Sequence, residues 1–277
     1  MDTHILIAQS PLGKPATYSG NYRPDLLFPI ARAPFRESLG ISSTPPFYGY
    51  DLWNSYELSW LNPKGKPISA IAQFVLPCAS VNLIEAKSFK LYLNSFHQTR
   101  FDSVEEVTAI LKQDLGQCAQ APIALEIAPL TTIYSCELGR PEGICLDTLD
   151  IEVDQYTVNP ALLLSDANEI VTETVYSDLL KSNCLGTGQP DWGSIKITYT
   201  GPKIDHAQLL KYIISYRHHH EFNEHCIERI FMDVLQHCQP QDLTVYGNYT
   251  RRGGLDTNTC RSTDPQIPID STRFFRQ

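Results

Sequence analysis

Cys184 and Asp191 lie seven residues apart in Ser-Asn-Cys-Leu-Gly-Thr-Gly-Gln-Pro-Asp-Trp-Gly-Ser, residues 182–194. A thiol and a carboxyl in one cleft offer a nucleophile and a proton donor. Between them Gly186, Gly188 and Pro190 bend a backbone rather than continue a helix or strand. Ile195-Lys-Ile-Thr-Tyr-Thr then alternates apolar and polar like a half-buried strand. The stretch reads as a tight loop feeding a strand, a place where side chains are held over a cleft. Burial beside Trp192 would raise the Asp191 carboxyl into the range of a general acid. The plainer uses of the same residues are a small buried thiol for Cys184 and a turn-capping carboxylate after Pro190 for Asp191.

Two other clusters carry chemistry-bearing side chains. In Ile84-Glu-Ala-Lys-Ser-Phe-Lys-Leu-Tyr-Leu-Asn-Ser, Lys87 and Lys90 are one helical turn apart and suit a phosphate, with the Ser88 hydroxyl as a further donor. The same lysines also fit an ordinary solvated helix face. Arg217-His-His-His-Glu-Phe-Asn-Glu-His ends at His225 and invites a metal reading through His218, His219, His220 and His225. Three consecutive histidines cannot easily meet one ion, and no His-Glu-x-x-His pair is present, so no metal is expected.

These clusters need elements to hold them. Tyr48–Leu61 and Ile68–Val75 read as a hairpin closed by Asn62-Pro-Lys-Gly-Lys-Pro. A helix is expected over 83–95. A second starts at Ser103, whose capping box includes Glu106; it carries Val104, Val107, Ile110, Leu111 and Leu115 and ends at Gly116. Pro122–Leu130 and Thr131–Glu137 read as strands. The second half repeats this order: Leu149–Val158 is expected to pair with Ile195–Thr200, and Asp205 caps a helix through Ile214. A further helix carries Cys226 to Leu235, and Leu243–Tyr249 begins the closing strands. Two strands, two helices and two strands, then the same again, imply an internal duplication. The fold class is α+β, two domains at 46–142 and 143–277, each an antiparallel sheet packed against a pair of helices. The Pro- and Gly-rich residues 1–45 read as an extended arm.

With 277 residues, two cores of ordinary size are available. A net charge of −9 argues against a large phosphate-neutralising surface, so a nucleic acid is not expected as a direct partner and a small molecule fits better. No apolar run is long enough for a membrane span and the N-terminus lacks a signal-peptide layout, which makes cytoplasm the default. The eight cysteines, at 78, 118, 136, 145, 184, 226, 238 and 260, form no Cys-x-x-Cys pair. In a reducing compartment they read as buried thiols with one reactive member.

Asn183, Cys184, Leu185, Thr187 and Gln189 to Ser194 resemble the active-site loop of the NADPH-dependent nitrile reductases of queuosine biosynthesis, which act on 7-cyano-7-deazaguanine in a tRNA-modification route. The resemblance extends to residues 84–95, to Leu12-Gly-Lys, Tyr22-Arg-Pro and Leu27-Phe-Pro-Ile-Ala-Arg, and to Tyr249-Thr-Arg-Arg-Gly-Gly-Leu-Asp. It covers nearly the whole chain and implies the long, bimodular form, with two tandem T-folds (tunnelling folds). Such sheets close into barrels by oligomerising, which implies a homodimer. The resemblance implies Cys184 as the nucleophile that forms a thioimide, Asp191 as proton donor, and Glu85 and Glu224 as the carboxylates that hold the deazaguanine ring. A carboxylate accepts two N–H bonds side by side, which suits the amidine edge of such a base. It also implies NADPH as cofactor, held by Lys87, Ser88, Lys90, Arg251, Arg252 and Gly253. One hydride would release an imine from the sulfur, and a second would give the aminomethyl product. The chain departs from the family at four places. Asn223, in the substrate-binding set, stands for a His; Ala86 stands for a Ser; Gly186 replaces a branched aliphatic; and Thr257 to Ser262 carries Thr and Cys where Ile, Pro and an aromatic are usual. Asn223 orients by hydrogen bonding but offers no titratable proton. These departures leave one alternative, a divergent protein that binds the nitrile, or a related purine or pterin, without turnover; the histidine cluster leaves another, a metal-dependent cyclohydrolase-type T-fold enzyme.

Overall fold

The computed structural model describes residues 10–15, 17–41, 44–133 and 138–277. The chain divides into two compact units. The first contains the described residues of 1–38, 51–137 and 251–256, and the second those of 39–50, 138–250 and 257–277.

In the first unit, β1 (Pro29–Ala31) pairs antiparallel with β4 (Asn82–Ile84), and α1 (Ala33–Ser38) follows β1. The expected extended arm is therefore partly ordered into a strand and a short helix. Its Tyr22 ring packs edge-on against Phe96 at 5.3 Å, and its Arg32 is buried against Asp51 at 2.5 Å. The main strands β2 (Tyr48–Leu61), β3 (Pro67–Pro77) and β5 (Ala124–Pro129) are ordered β5-β3-β2. Alternation in β3 sends Ala70, Ala72, Phe74 and Leu76 into the core, where α2 (Ala86–Asn94) and α3 (Val104–Ala119) cover them.

In the second unit, β8 (Ser165–Asn183) and β9 (Pro190–Ile204) form a long hairpin, ordered with β7 (Ile144–Cys145), β10 (Asp242–Tyr249) and β11 (Leu255–Ser262) as β11-β10-β9-β8-β7. Ile195, Ile197 and Tyr199 face a core completed by α4 (His206–Ile214) and α5 (Asn223–Cys238). β6 (Leu138–Gly139) pairs with β12 (Arg273–Phe274).

The two helix pairs match in length, in their tyrosine–aspartate bonds and in how their second helices end. α2 and α4 are each 9 residues long and are capped by Glu85 and Asp205. Tyr92 donates to Asp114 at 2.6 Å, and Tyr212 donates to Asp233 at 2.6 Å. α3 and α5 are each 16 residues long and end on left-handed Gln120 and Gln239, at φ 52° and 50°. Gly116 therefore does not end α3: it lies inside the helix, and Gln120 takes the left-handed position. Ser103 caps α3 as expected, accepting from the Glu106 N–H at 3.2 Å, while the Glu106 carboxylate takes the Asp102 N–H at 2.7 Å.

Three further expectations change. Leu149–Val158 forms no strand; the partner of Ile195–Thr200 is the Thr172–Ser177 part of β8. Strand β9 begins at Pro190, ahead of the expected Ile195. Of Thr131–Glu137, the start is a single turn of 3-10 helix and residues 134–137 lie outside the described set, with Cys136 among them. The described cysteines are free thiols. Among the described residues no helix is long and apolar enough to cross a membrane.

Candidate active site

Cys184 sits at the tip of the β8–β9 hairpin. Its N–H donates to the Gln189 carbonyl at 2.8 Å, and the Gly188 N–H donates to the Cys184 carbonyl at 2.9 Å. Gly188 closes this turn at φ +66°, a conformation that an L side chain disfavours. The thiol is half-buried, with Asn183 paired to Pro190 and Ser182 to Asp191 across the hairpin. Asp191 is thus a strand residue and is 8% exposed. Successive strand residues point to opposite faces, so the neighbouring Trp192, at 39% exposed, is directed away from it. The Trp192 ring instead receives the Arg217 guanidinium at 5.6 Å. Tyr249, Cys226 and Lys181 lie close enough to feel the Asp191 charge. Burial pushes the Tyr249 and Cys226 protons well above their usual range, and the Asp191 charge adds to both.

Asn183, next to the nucleophile, ties the hairpin to the histidine-rich segment. Its N–H donates to the His219 carbonyl at 2.8 Å, and its carbonyl accepts from Glu221 N–H at 3.2 Å. Its amide oxygen receives Lys181 Nζ at 2.6 Å, and the same ammonium reaches the Arg217 carbonyl at 2.6 Å. Burial, with the nearby Arg217 charge, lowers the Lys181 pKa, and Asp191 opposes this. Lys181 and the role of Asn183 were missed from sequence. Their two-residue spacing on a strand, which puts them on one face, is the signal that would have found them.

The histidines diverge. His218 is exposed, with its ring 6.0 Å from that of Tyr156. His219 Nε2 donates to Glu221 at 2.8 Å, His220 faces the Cys184 hairpin, and His225 is buried beside Phe222. Ligand atoms of His219, Glu221 and Cys226 lie within 4.8 Å of one another. The carboxylate, however, is already held by Arg229 through two bonds of 3.1 and 2.9 Å. Burial alone would raise the Glu221 carboxyl; the hydrogen bonds of His219 and Arg229 overcome it and hold the group at about 2. A dication there would meet the Arg229 charge and a thiol that burial keeps protonated, so this is an ion-pair network.

α5 begins at Asn223 without a side-chain cap, unlike α2, α3 and α4. Its first-turn N–H groups and positive dipole end therefore meet no capping side chain. Glu224 is buried, and the Asn223 amide oxygen is buried without a hydrogen-bond partner among the described residues. Below them Glu228 and Arg261 form a fully buried ion pair at 2.8 Å.

The remaining candidates gather in the first unit. Glu85 is buried, and its carboxylate caps its own helix, accepting from the Lys87 and Ser88 N–H groups at 2.8 and 2.7 Å. Burial raises its pKa, and those two bonds oppose the rise. The Ser88 hydroxyl is buried and committed to Phe28 N–H and the Glu85 carbonyl, so it does not stand on the lysine face. Lys90 pairs with Glu57 at 2.8 Å and also donates to the Gly253 carbonyl. Lys87 donates to the Lys14 carbonyl. Gly253 and Gly254, at φ +56° and +79°, form the two-residue turn between Arg252 and Leu255. Arg251 lies over the Tyr56 ring at 4.9 Å. The structure thus brings Lys90, Gly253 and Arg251 to one end of the first unit. Cys184, Asp191, Asn223 and Glu224 belong to the second.

A mixed antiparallel α+β protein with a hairpin thiol, a buried carboxyl on the next strand and a basic glycine turn is the class of molecule these features define. A family model described as nitrile reductase, 7-cyano-7-deazaguanine-reductase N-term, matches residues 18–127, and one described as QueF-like protein matches residues 190–266. An NADPH-dependent 7-cyano-7-deazaguanine reductase of Coxiella burnetii (strain Dugway 5J108-111) is 54% identical over 279 residues, covering 99% of this chain and 98% of that one. The protein of the same name from Dechloromonas aromatica (strain RCB) is 53% identical over 269 residues, covering 97% and 95%. Among solved structures, the apo form of the archaeosine synthase QueF-Like matches with a TM-score of 0.30 and 16% identity, covering 36% of this chain and 96% of that one. The chain belongs to the family of NADPH-dependent 7-cyano-7-deazaguanine reductases.

Proposed function

We propose that the chain reduces the nitrile of 7-cyano-7-deazaguanine to the aminomethyl group with NADPH, through a thioimide on Cys184. The observation that carries the reading is the Cys184 hairpin, held by Asn183 and followed by buried Asp191, in a chain matching the reductases over nearly its full length. A nitrile accepts hydride poorly, so covalent addition of the thiol divides one hard step into easier ones. The sulfur bonds to the nitrile carbon, and the thiol proton ends on nitrogen. Bound NADPH supplies two hydrides per nitrile, and two further protons reach nitrogen as the aminomethyl group forms. Asp191 is the donor for these protons, held on rigid strand β9 and shielded from water. After the first hydride the C–S bond breaks, and the departing sulfur takes one proton back from nitrogen, restoring the thiol.

In the second unit Glu224, buried in the first turn of α5, is the carboxylate for the deazaguanine ring. The unpartnered Asn223 amide oxygen is suited to an N–H donor of the same ligand. The residues around Gly253 fit a dinucleotide phosphate: Lys90 lies against the turn so closely that a Cβ at Gly253 would come 2.6 Å from its Cδ. Lys90, Lys87, Arg251 and Arg252 supply the charge, and bare Gly253 the close approach. Ser88 acts by fixing this helix start rather than by touching the cofactor. The duplicated helix pairs support tandem tunnelling folds, working as a cytoplasmic homodimer.

The test is NADPH oxidation with 7-cyano-7-deazaguanine, beside Cys184→Ala and Asn223→His. Two NADPH consumed per nitrile, with loss of both adduct and turnover in Cys184→Ala, is the expected result. Adduct formation without NADPH consumption would favour a binding protein, a reading that Asn223 motivates; Asn223→His would then restore turnover. Silence from all three chains would sink the assignment.

A further inference from the structure

The family pattern puts a titratable histidine where this chain has Asn223, yet a different imidazole faces the nucleophile's hairpin. His220 forms a β-bridge with Asn183, the residue before Cys184. Its Nδ1 lies 3.0 Å from the His218 carbonyl, which only accepts, so Nδ1 carries a proton and Nε2 is the nitrogen that exchanges one. Nε2 is directed at the hairpin: a Cβ built on Gly188 would lie 4.0 Å from it. Gly188 is in turn hydrogen-bonded to the Cys184 carbonyl. The other histidines of the cluster are engaged elsewhere, with Tyr156, with Glu221 and in the core.

We propose that His220 is the proton-transfer residue for addition of Cys184 to the nitrile, taking over in this chain the duty that Asn223 cannot perform. The proposal rests on the reductase reading above. Nε2 takes the thiol proton as the S–H bond breaks. The sulfur electron pair forms the S–C bond, one π pair of C≡N moves onto nitrogen, and that nitrogen takes the proton from Nε2. His220 ends as it began, and no oxidant or reductant is needed. A basic nitrogen locked in one tautomer and aimed at a thiol-bearing loop is the arrangement by which cysteine nucleophiles are activated. Asp191 keeps the later, reductive protonations.

The experiment is stopped-flow absorbance of the thioimide formed from wild type and His220→Gln with 7-cyano-7-deazaguanine, without NADPH. His220→Gln should form the adduct about 100-fold more slowly. Its affinity for the nitrile, measured in Cys184→Ala and Cys184→Ala/His220→Gln, should agree within about twofold, since the base contributes to chemistry rather than to binding. Adduct formation by His220→Gln at the wild-type rate overturns the proposal and leaves the reductase reading standing. Absence of adduct and of NADPH consumption in wild type overturns that reading itself. If His220→Gln does not fold, wild type treated with diethyl pyrocarbonate decides the matter. The adduct rate should fall with the fraction of His220 modified, mapped by mass spectrometry, and an unchanged rate with His220 fully modified refutes the assignment.

Discussion

Replacing Glu221 by Gln should destabilise the folded chain by about 3 kcal/mol at pH 7 and by only about half that at pH 3. The carboxylate is 6% exposed, and it is bonded by His219 at 2.8 Å and by Arg229 at 3.1 and 2.9 Å. Burial works against its charge, and these partners more than compensate, holding its pKa at about 2 against an ordinary 4.5. At ~1.4 kcal/mol per pH unit, that lowering is worth about 3 kcal/mol. The folded pKa lies below the unfolded one, so the stabilisation is fully present above about pH 4.5 and is lost as pH falls toward 2. Glutamine keeps the shape and one acceptor but cannot carry the charge, so its deficit should shrink on acidification. Equilibrium urea unfolding followed by tryptophan emission at pH 7, 5, 4 and 3 measures both proteins. A deficit equal at pH 7 and pH 3 would refute the reasoning. Because the Glu221 carboxylate also holds His219, the residue before His220, the variant should lose turnover at pH 7 beyond what unfolding explains.

Two further substitutions separate the cofactor end from the frame. Gly253→Ala places a side chain at φ +56° and drives a Cβ toward the flexible Lys90 stem. Its KM for NADPH should rise several-fold, while adduct formation without NADPH stays at the wild-type rate; an unchanged KM would show that the turn does not meet the cofactor. Arg261→Leu leaves Glu228 charged at 0% exposure and removes the donors to the Tyr50 and Cys260 carbonyls. It should cost about 3–5 kcal/mol, and adding Glu228→Leu should recover a large part. Urea midpoints of the single and double variants check this, and equal midpoints would count against it.

The parts of the fold legible in the sequence are those set by local chemistry. The Ser103 and Asp205 caps needed only a hydroxyl or carboxylate before an apolar-periodic run. The β2–β3 hairpin needed only alternation around a Pro-Gly turn. β8 was not legible because register shifts between Asp166 and Ile170 and between Ser177 and Leu180 interrupt its two-residue period. Leu149–Val158 misled in the opposite sense. Its alternation is regular from Leu149 to Asp154, but it has no ladder partner, and a strand is defined by a neighbour that no local pattern names. Gly116 misled because a glycine inside a helix reads the same as one that ends it. At the site, Cys184, Asp191 and the two lysines stood out by type and spacing. The Asn183 clamp and the orientation of His220 did not, because both depend on bonds between segments some 35 residues apart.

The matched tyrosine–aspartate locks of the two helix pairs carry a consequence for how this chain can change. Each copy fixes its own helices by the same buried bond, Tyr92 to Asp114 and Tyr212 to Asp233, so neither frame relies on what its hairpin tip contains. One tip holds Asn62-Pro-Lys-Gly-Lys, and the hairpin of the second unit holds Cys184. Two frames each locked by their own bond leave the loops they carry free to differ without penalty to folding. If His220 carries the proton transfer proposed above, an amide at residue 223 is one change that such a frame accommodates without loss of folding.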